Sequence, residues 1–580
     1  MRRGALLGLL LAVLLAAPCP AAERAEWDNL GRIVAIGDVH GAYENLVAVL
    51  KQSGLVDQEL GWIGGKTQLV QSGDVVDRGP DSRKCMDLLL RLEDEAQSAG
   101  GRVHVLVGNH DAFNVVGVLE YVSAEEFASY LDDSSEKRYE KEFKTYWERE
   151  SKKVRAEGKV MPGEAEVRKV FQTKFPLGFF EHREAFGPDG RYGKWIRRRN
   201  TSVRLNGTVF SHGDWTEQHA ALGVEEINRR ISDELSGKAP LESGLVFDVA
   251  GPLQNRWISK LPLSATEDAG KVDRILASLK ARRLVVGHTV TDGIIESRFA
   301  GKHISIDTGM LELYQGGHLV ALEIEGEELR AIHPLGKVAI PLQMDDDSLF
   351  NYLVAIAGVD RENVNVYSRL AGEFRARANL FAARDTLEQL FRIRKPVAFR
   401  FRKDLGDVYL ELGQPEKARE QHLAYIKGLQ TLIQATPTNP HLKNLLARFC
   451  LDQNLELNLA EAMIQQALSE EPENATFLLT LGRVQVLLRQ FPAATSTLEK
   501  AIERGGGDYQ AHYQLGLAYL GLKENDKARK AFEHALAENP AGAEAREALR
   551  KLDEQGSDPA GGGGRSSYLL TFSEITLACV

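Results

Sequence analysis

Five short motifs carry residue types that bind metals and act on phosphate. Asp38 and His40 sit in Gly37-Asp38-Val39-His40-Gly41, Asp74 in Gly73-Asp74-Val75-Val76-Asp77-Arg78-Gly79, and Asn109 in Gly108-Asn109-His110-Asp111. Two later histidines follow, His212 in Ser211-His212-Gly213 and His288 in Val286-Gly287-His288-Thr289. A lone aspartate at a strand end is usually a turn former, and a lone histidine is usually structural. Five such motifs in order, each closing an apolar run, are not explained that way. Two divalent cations held close together need oxygen and imidazole ligands and one carboxylate that bridges both. Asp38, His40 and Asp74 can hold one cation; Asp74, Asn109, His212 and His288 can hold the other. Such a pair lowers the pKa of a shared water, so that hydroxide is available near neutral pH for in-line attack on phosphorus.

His110 follows a ligand but has a different expected role. Asn109 already points at the metal, so His110 reads as the general acid that protonates the leaving oxygen, with Asp77 orienting its ring. Arg78 is placed to clamp phosphate oxygens. A tetrahedral anion calls for a second guanidinium, and Arg256, in Gly251-Pro252-Leu253-Gln254-Asn255-Arg256-Trp257, is the candidate. Its alternative is to pack its stem on the Trp257 ring.

The elements that must carry these groups are legible as apolar β-type runs ending in polar residues. Ile33 to Ile36, Thr67 to Ser72, Val103 to Val107, Leu205 to Phe210 and Leu284 to Val286 each lead into a motif, with helical stretches between. That is the layout of an α/β fold with its site at the strand ends. Residues 112–183, rich in Glu, Lys and aromatics, break the rhythm as a mostly helical insertion, either a cap over the site or a surface decoration. The stretch 336–370 reads as a connector. From 371 to 555 the pattern is helical with a 34-residue period: Ala460, Ala494 and Ala528 recur in register, and Leu515-Gly516, Tyr519, Phe532 and Pro540 complete the best unit. These are the spacings of a tetratricopeptide repeat, in which small residues let paired helices approach closely. An insertion around Lys427 to Ala435 offsets an earlier unit. Residues 556–580 hold Gly561 to Gly564 and read as a flexible tail.

At 580 residues the chain exceeds what one core can organise, and a net charge of −10 gives no electrostatic reason to expect nucleic acid as a partner. Arg2 and Arg3 followed by an apolar run to Ala17 and small residues to Ala22 read as a secretory signal peptide over 1–22. Export to the periplasm or the exterior is therefore expected, with an uncleaved membrane anchor as the alternative. Cys19, Cys85, Cys450 and Cys579 are too scattered for a disulfide framework. His104, His303, His318 and His333 have no motif around them and read as structural.

Together the motifs resemble the phosphoprotein-phosphatase branch of the calcineurin-like metallophosphoesterases. Gly190-Arg191-Tyr192-Gly193-Lys194-Trp195 and Gly251-Pro252-Leu253 make the chain most similar to the Shewanella-like phosphatases. The resemblance covers roughly residues 32–324, within a domain read as 30–335. It implies a β-sandwich flanked by helices, two metal ions drawn from manganese, iron or zinc, and phosphorylated proteins or peptides as substrate. Three departures stand out: Asp111 where Glu is commoner, Asp214 where a second Gly is usual, and Leu253-Gln254-Asn255 where a Trp-Tyr pair is usual. Two other readings compete: hydrolysis of dinucleoside polyphosphates or another small phosphorylated molecule, and a scaffold whose repeats bind a protein while the phosphatase domain is vestigial.

Overall fold

The computed structural model describes residues 24–556 apart from 161, 314–316 and 394–395; the expected signal peptide, Cys19, Cys579 and the tail beyond 556 lie outside the described residues. The chain divides into two compact units at Val397–Ala398.

Among the described residues of the first unit, twelve strands form two six-stranded sheets. In chain order they are β1 (Glu26–Trp27), β2 (Ile33–Ile36), β3 (Gln68–Gln71), β4 (Arg102–Val105), β5 (Ser202–Leu205), β6 (Thr208–Ser211), β7 (Arg283–Val286), β8 (Glu296–Arg298), β9 (His303–Ser305), β10 (Ala321–Glu325), β11 (Glu328–His333) and β12 (Gly336–Ala339). One sheet has the order β12-β11-β10-β2-β3-β4, the other β1-β5-β6-β7-β9-β8. Strands β2, β3 and β4 run parallel, as do β6, β7 and β9. Alternate side chains explain why the runs are continuously apolar. Ile33, Ala35 and Val70 meet Val203, Phe210, Val285 and Ile304 of the other sheet, while Val34, Ile36 and Leu69 face the flanking helices with Leu46, Leu50 and Leu89. This is the α/β sandwich that the resemblance implied.

The insertion folds as helices at Ala124–Ala128, Ser135–Ala156, Glu164–Lys174 and Phe179–Phe186. Phe143, Tyr146, Val167 and Phe171 form a small core of their own. The stretch read as a connector does not behave as one. Lys337 and Val338 pair with Ile332 and Ala331 in the sheet, and Tyr352, Leu353, Ile356, Val366 and Leu370 are buried in the same core as the sandwich strands. Helices Asp346–Val359 and Val364–Ala376 therefore complete the first unit, because their apolar faces have strand residues to cover.

The second unit is a run of helical hairpins. Ala460, Ala494 and Ala528 are fully buried, and a methyl group added at Gly516 would stand 2.4 Å from the Phe532 ring, so the glycine permits the helix contact. Helix Pro415–Ala435 has 21 residues against 14 in Leu457–Glu470, and this lengthened helix takes up the offset expected around Lys427. No described helix is long and apolar enough to cross a membrane. Cys85 and Cys450 are both buried and free.

Candidate metal centre

Each expected ligand lies just beyond the C-terminal end of a strand: Asp38 after β2, Asp74 after β3, Asn109 after β4, His212 after β6 and His288 after β7. The chain turns sharply there, and His40, Asp74, Asp77, Arg78 and His288 all adopt left-handed backbone, with φ of 48°, 54°, 72°, 71° and 64°. Strained backbone of this kind costs on the order of 1–3 kcal/mol per residue and persists only where surrounding bonds impose it. At Asp74 they do. The Asp111 carboxylate accepts the N–H groups of Asp74, Val75 and Gly108 at 2.8, 3.1 and 2.9 Å. Gly108 lies so close that an added methyl would sit 2.2 Å from Asp74 Oδ1.

Ligand atoms of His40, Asp74 and His110 lie within 4.8 Å of one another, as do those of Asp74, His212 and His288, so Asp74 is common to both groups. Asp38 Oδ2 stands 3.9 Å from His40 Nε2, and Asn109 Oδ1 2.9 Å from His212 Nε2. Backbone carbonyls orient three imidazoles. His40 Nδ1 meets Val76 O at 3.0 Å, His212 Nδ1 meets Ser72 O at 3.0 Å, and His288 Nε2 meets Gln254 O at 3.1 Å. A proton donated to each carbonyl leaves His40 Nε2, His212 Nε2 and His288 Nδ1 with lone pairs facing the site, as metal ligation requires.

The electrostatics also fit a cation. Burial, reinforced by Asp307, pushes Asp38 well above the usual carboxylate range. Burial acts the same way on Asp74, but His212, His110 and His40 outweigh it and hold Asp74 well below that range. Burial alone would lower His212; Asp74 and Asp38 raise it to about 9. Burial brings His40 down to about 3 and lifts Asp307 to about 6. The crowded carboxylates that raise His212 are ones that divalent cations would neutralise.

His110 belongs geometrically to the first ligand group but is otherwise engaged. Its Nδ1 lies 2.6 Å from Asp77 Oδ2, and its Nε2 faces Arg78 Nη2 at 3.0 Å. Asn114 donates to the other Asp77 oxygen at 2.7 Å, so the carboxylate is held at both ends. The Asp77 contact sets His110 apart from His40, His212 and His288, whose rings are oriented by backbone carbonyls, and the Arg78 guanidinium, which also stands 3.4 Å from His40 Nε2, favours an anionic substrate at this edge of the centre. Arg256 reaches the same centre, its Nη2 lying 3.3 Å from His288 Nδ1, and the cation over the Trp257 ring is that of Lys271.

The departures acquire local reasons. Asp214 accepts the N–H groups of Ile258 and Ser259, both at 2.8 Å, and pairs with the buried His303 at 2.7 Å, so it anchors the loop that carries Arg256. His104, His318 and His333 bond Gln68, Asn365 and Asp360. The amides of Asn200 and Asn206 have structural roles, donating to the carbonyls of Arg24 and Leu30.

Three groups escaped sequence reasoning. Asp307, after β9, is buried beside Asp38; Ile304-Ser305-Ile306-Asp307-Thr308-Gly309 repeats the run-then-Asp pattern and could have revealed it. Tyr121 sets its ring 4.8 Å from His110, with Phe113 and Phe247 stacked beyond, and Glu126 is buried next to Asp77. No local signal marks either.

A family model described as calcineurin-like phosphoesterase matches residues 31–291, and a tetratricopeptide-repeat model matches 369–440 and 479–543. The chain is 28% identical to Shewanella-like protein phosphatase 2 of Arabidopsis thaliana over 334 residues, covering 55% of this chain and 82% of that protein. It is 30% identical to an uncharacterized protein of Schizosaccharomyces pombe over 291 residues, covering 50% and 76%. Among solved structures, the cold-active protein-tyrosine phosphatase of a Shewanella species aligns with a TM-score of 0.41 and 23% identity, over 54% of this chain and 82% of that one.

Proposed function

Because the chain belongs to the calcineurin-like phosphoesterases and is a metal-dependent phosphatase, we propose that it hydrolyses phosphate monoesters on proteins, phosphotyrosine in preference to phosphoserine and phosphothreonine. The observation that carries the preference is the aromatic wall beside His110. Phe113 lies between Tyr121 and Phe247, with centroids 6.3 and 5.8 Å away, and the two outer rings are 39% and 38% exposed. A phenyl ester spans from the phosphate to this wall, whereas a serine ester has no ring to stack. Such ring pairs add about 0.5–1.5 kcal/mol beyond their buried area.

Divalent cations held by Asp38, His40 and Asp74, and by Asp74, Asn109, His212 and His288, supply charge neutralisation and an activated water when bound. The chain's own groups do the rest. Arg78 and Arg256 bind the equatorial phosphate oxygens, and His110 Nε2 delivers a proton to the departing phenoxide while Asp77 holds the opposite face of the ring. The mixture of carboxylate, imidazole and amide ligands suits manganese, iron or zinc, which elemental analysis of the purified protein distinguishes.

The test is a panel of phosphotyrosine and phosphothreonine peptides and diadenosine tetraphosphate. Phosphotyrosine should have the highest kcat/KM, and Phe247→Ala should lower it by about 3- to 10-fold. Faster turnover of phosphothreonine or of the dinucleotide would sink the reading.

The repeat unit supports a further proposal of a protein partner. A groove of about 660 Å³, lined by Leu410, Arg419, His422, Asp452, Leu455 and Arg483, combines apolar side chains with charges of both signs, Arg483 pairing with Asp452 at 3.4 Å, which suits a peptide of mixed apolar and charged side chains. Export is proposed on residues 1–22 alone; detection of the chain shortened by that segment outside the cytoplasm tests it.

A further inference from the structure

The Asp77–Arg78 turn, which carries the partner of His110 and a phosphate-binding guanidinium, is bonded from the insertion side. Arg78 donates its backbone N–H to Tyr121 O at 2.9 Å, and Arg83 Nη1 reaches Ser129 O at 2.6 Å. Between these two bonds lies Glu126, fully buried, in a short helix whose first turn is capped by the Ser123 hydroxyl at 3.0 Å. Its carboxyl lies against the Asp77 backbone N–H and the Ser82 hydroxyl. Neither contact closes to hydrogen-bond geometry, and both Glu126 oxygens and Ser82 Oγ are otherwise without partners. Buried polar groups in that condition are costly unless they serve a purpose.

We propose that Glu126 is a positioning residue for the hydrolysis: reaching in from the insertion, it sets the backbone of Asp77 and thereby the His110 imidazole. Burial, with Asp77 adding to it, pushes the Glu126 carboxyl well above its ordinary range, which favours its neutral form. A neutral acid has one carbonyl to accept the Asp77 N–H and one O–H to share with Ser82, and so answers both atoms that face it. It adds no second negative charge behind Asp77. On this view the insertion is part of the catalytic machinery, since it supplies the back wall of a turn whose two residues both hold left-handed backbone.

The inference rests on the reading of His110 as general acid, and its test separates the two. A mispositioned acid slows departure of a poor leaving group, whereas nitrophenolate leaves without a proton. Glu126→Leu should therefore lower kcat for a phosphotyrosine peptide by about 10-fold or more, and lower kcat for p-nitrophenyl phosphate by less than about 3-fold, with KM little changed. Glu126→Gln, which keeps a neutral acceptor and donor, should retain activity on both substrates. Equal losses on the two substrates, no loss, or an equally impaired Glu126→Gln would overturn the inference. His110→Asn is the control. If it lacks the leaving-group bias, the acid reading fails and the inference with it; if it shows the bias while Glu126→Leu does not, only Glu126 is excluded. Should Glu126→Leu fail to fold, Glu126→Asp, one methylene shorter, must show the bias that Glu126→Gln lacks.

Discussion

Asp111 holds Asp74 by the backbone: its Oδ2 accepts the Asp74 N–H at 2.8 Å while Oδ1 takes the Val75 N–H at 3.1 Å. The carboxylate common to both ligand groups is thus kept in left-handed backbone by a neighbour that need not touch a metal. Asp111→Ala should weaken metal affinity by about 10- to 100-fold, as loss of groups behind a ligand typically does. Titration of metal-free protein followed by elemental analysis checks this; unchanged affinity would refute the role.

Asp74 and His110 should fail differently. Asp74→Asn removes the shared carboxylate and should abolish both bound metal and activity. His110→Asn should leave metal content near that of the unaltered protein while kcat falls by about 10²- to 10⁴-fold. Parallel metal analysis and steady-state kinetics distinguish these outcomes, and full activity in either variant would sink the assignment.

Asp214 and His303 form a fully buried pair that also carries the N–H groups of Ile258 and Ser259. Removing one member of such a pair leaves the other buried and unpaired, at a cost of about 3–5 kcal/mol. Asp214→Ala should lower the melting temperature of the first unit and raise KM as the Arg256 loop loosens. A variant with unaltered melting and KM would show that the loop is anchored elsewhere.

His182 gives the insertion a pH dependence. It is fully buried among Phe127, Tyr130 and Phe186, neither ring nitrogen has a partner, and burial, with Arg183 adding, lowers its pKa to about 3. A depressed histidine pKa means that the unfolded chain binds the proton first. Stability is therefore complete above the unfolded value of about 6.5 and falls as pH drops from there towards about 3. At pH 5 the loss is about 2 kcal/mol. His182→Phe should shrink the difference in melting temperature between pH 8 and pH 5; an undiminished difference would assign the effect to other groups.

Much of the centre was legible because each ligand is a local event. Asp38, Asp74, Asn109, His212 and His288 each close an apolar run and stand beside a glycine. The repeats were legible for a similar reason, since a 34-residue period is written out several times, and the lengthened helix at Pro415–Ala435 appeared as a break in it. Asp307 follows the same local rule, whereas Asp214 shows in the sequence only as a departure from the usual Gly.

Other features had no local mark. Nothing near Glu126 indicates that it lies behind Asp77, 49 positions earlier, and nothing near Phe247 places it on Phe113. The run from 336 to 370 looked like a connector because its apolar residues acquire meaning only when a sheet face is there to receive them. The sequence by itself determined the order and spacing of the candidate ligands, the strand-end turns that present them and the repeat period, because backbone dihedrals and side-chain alternation are set by neighbours in the chain. Only the tertiary structure decided that His110 comes within ligand distance of His40 and Asp74, that Asp214 bonds the loop carrying Arg256 and that the insertion bonds the Asp77–Arg78 turn. Those contacts join segments far apart in sequence, and they are selected by the complementarity of packed surfaces, which no single segment contains.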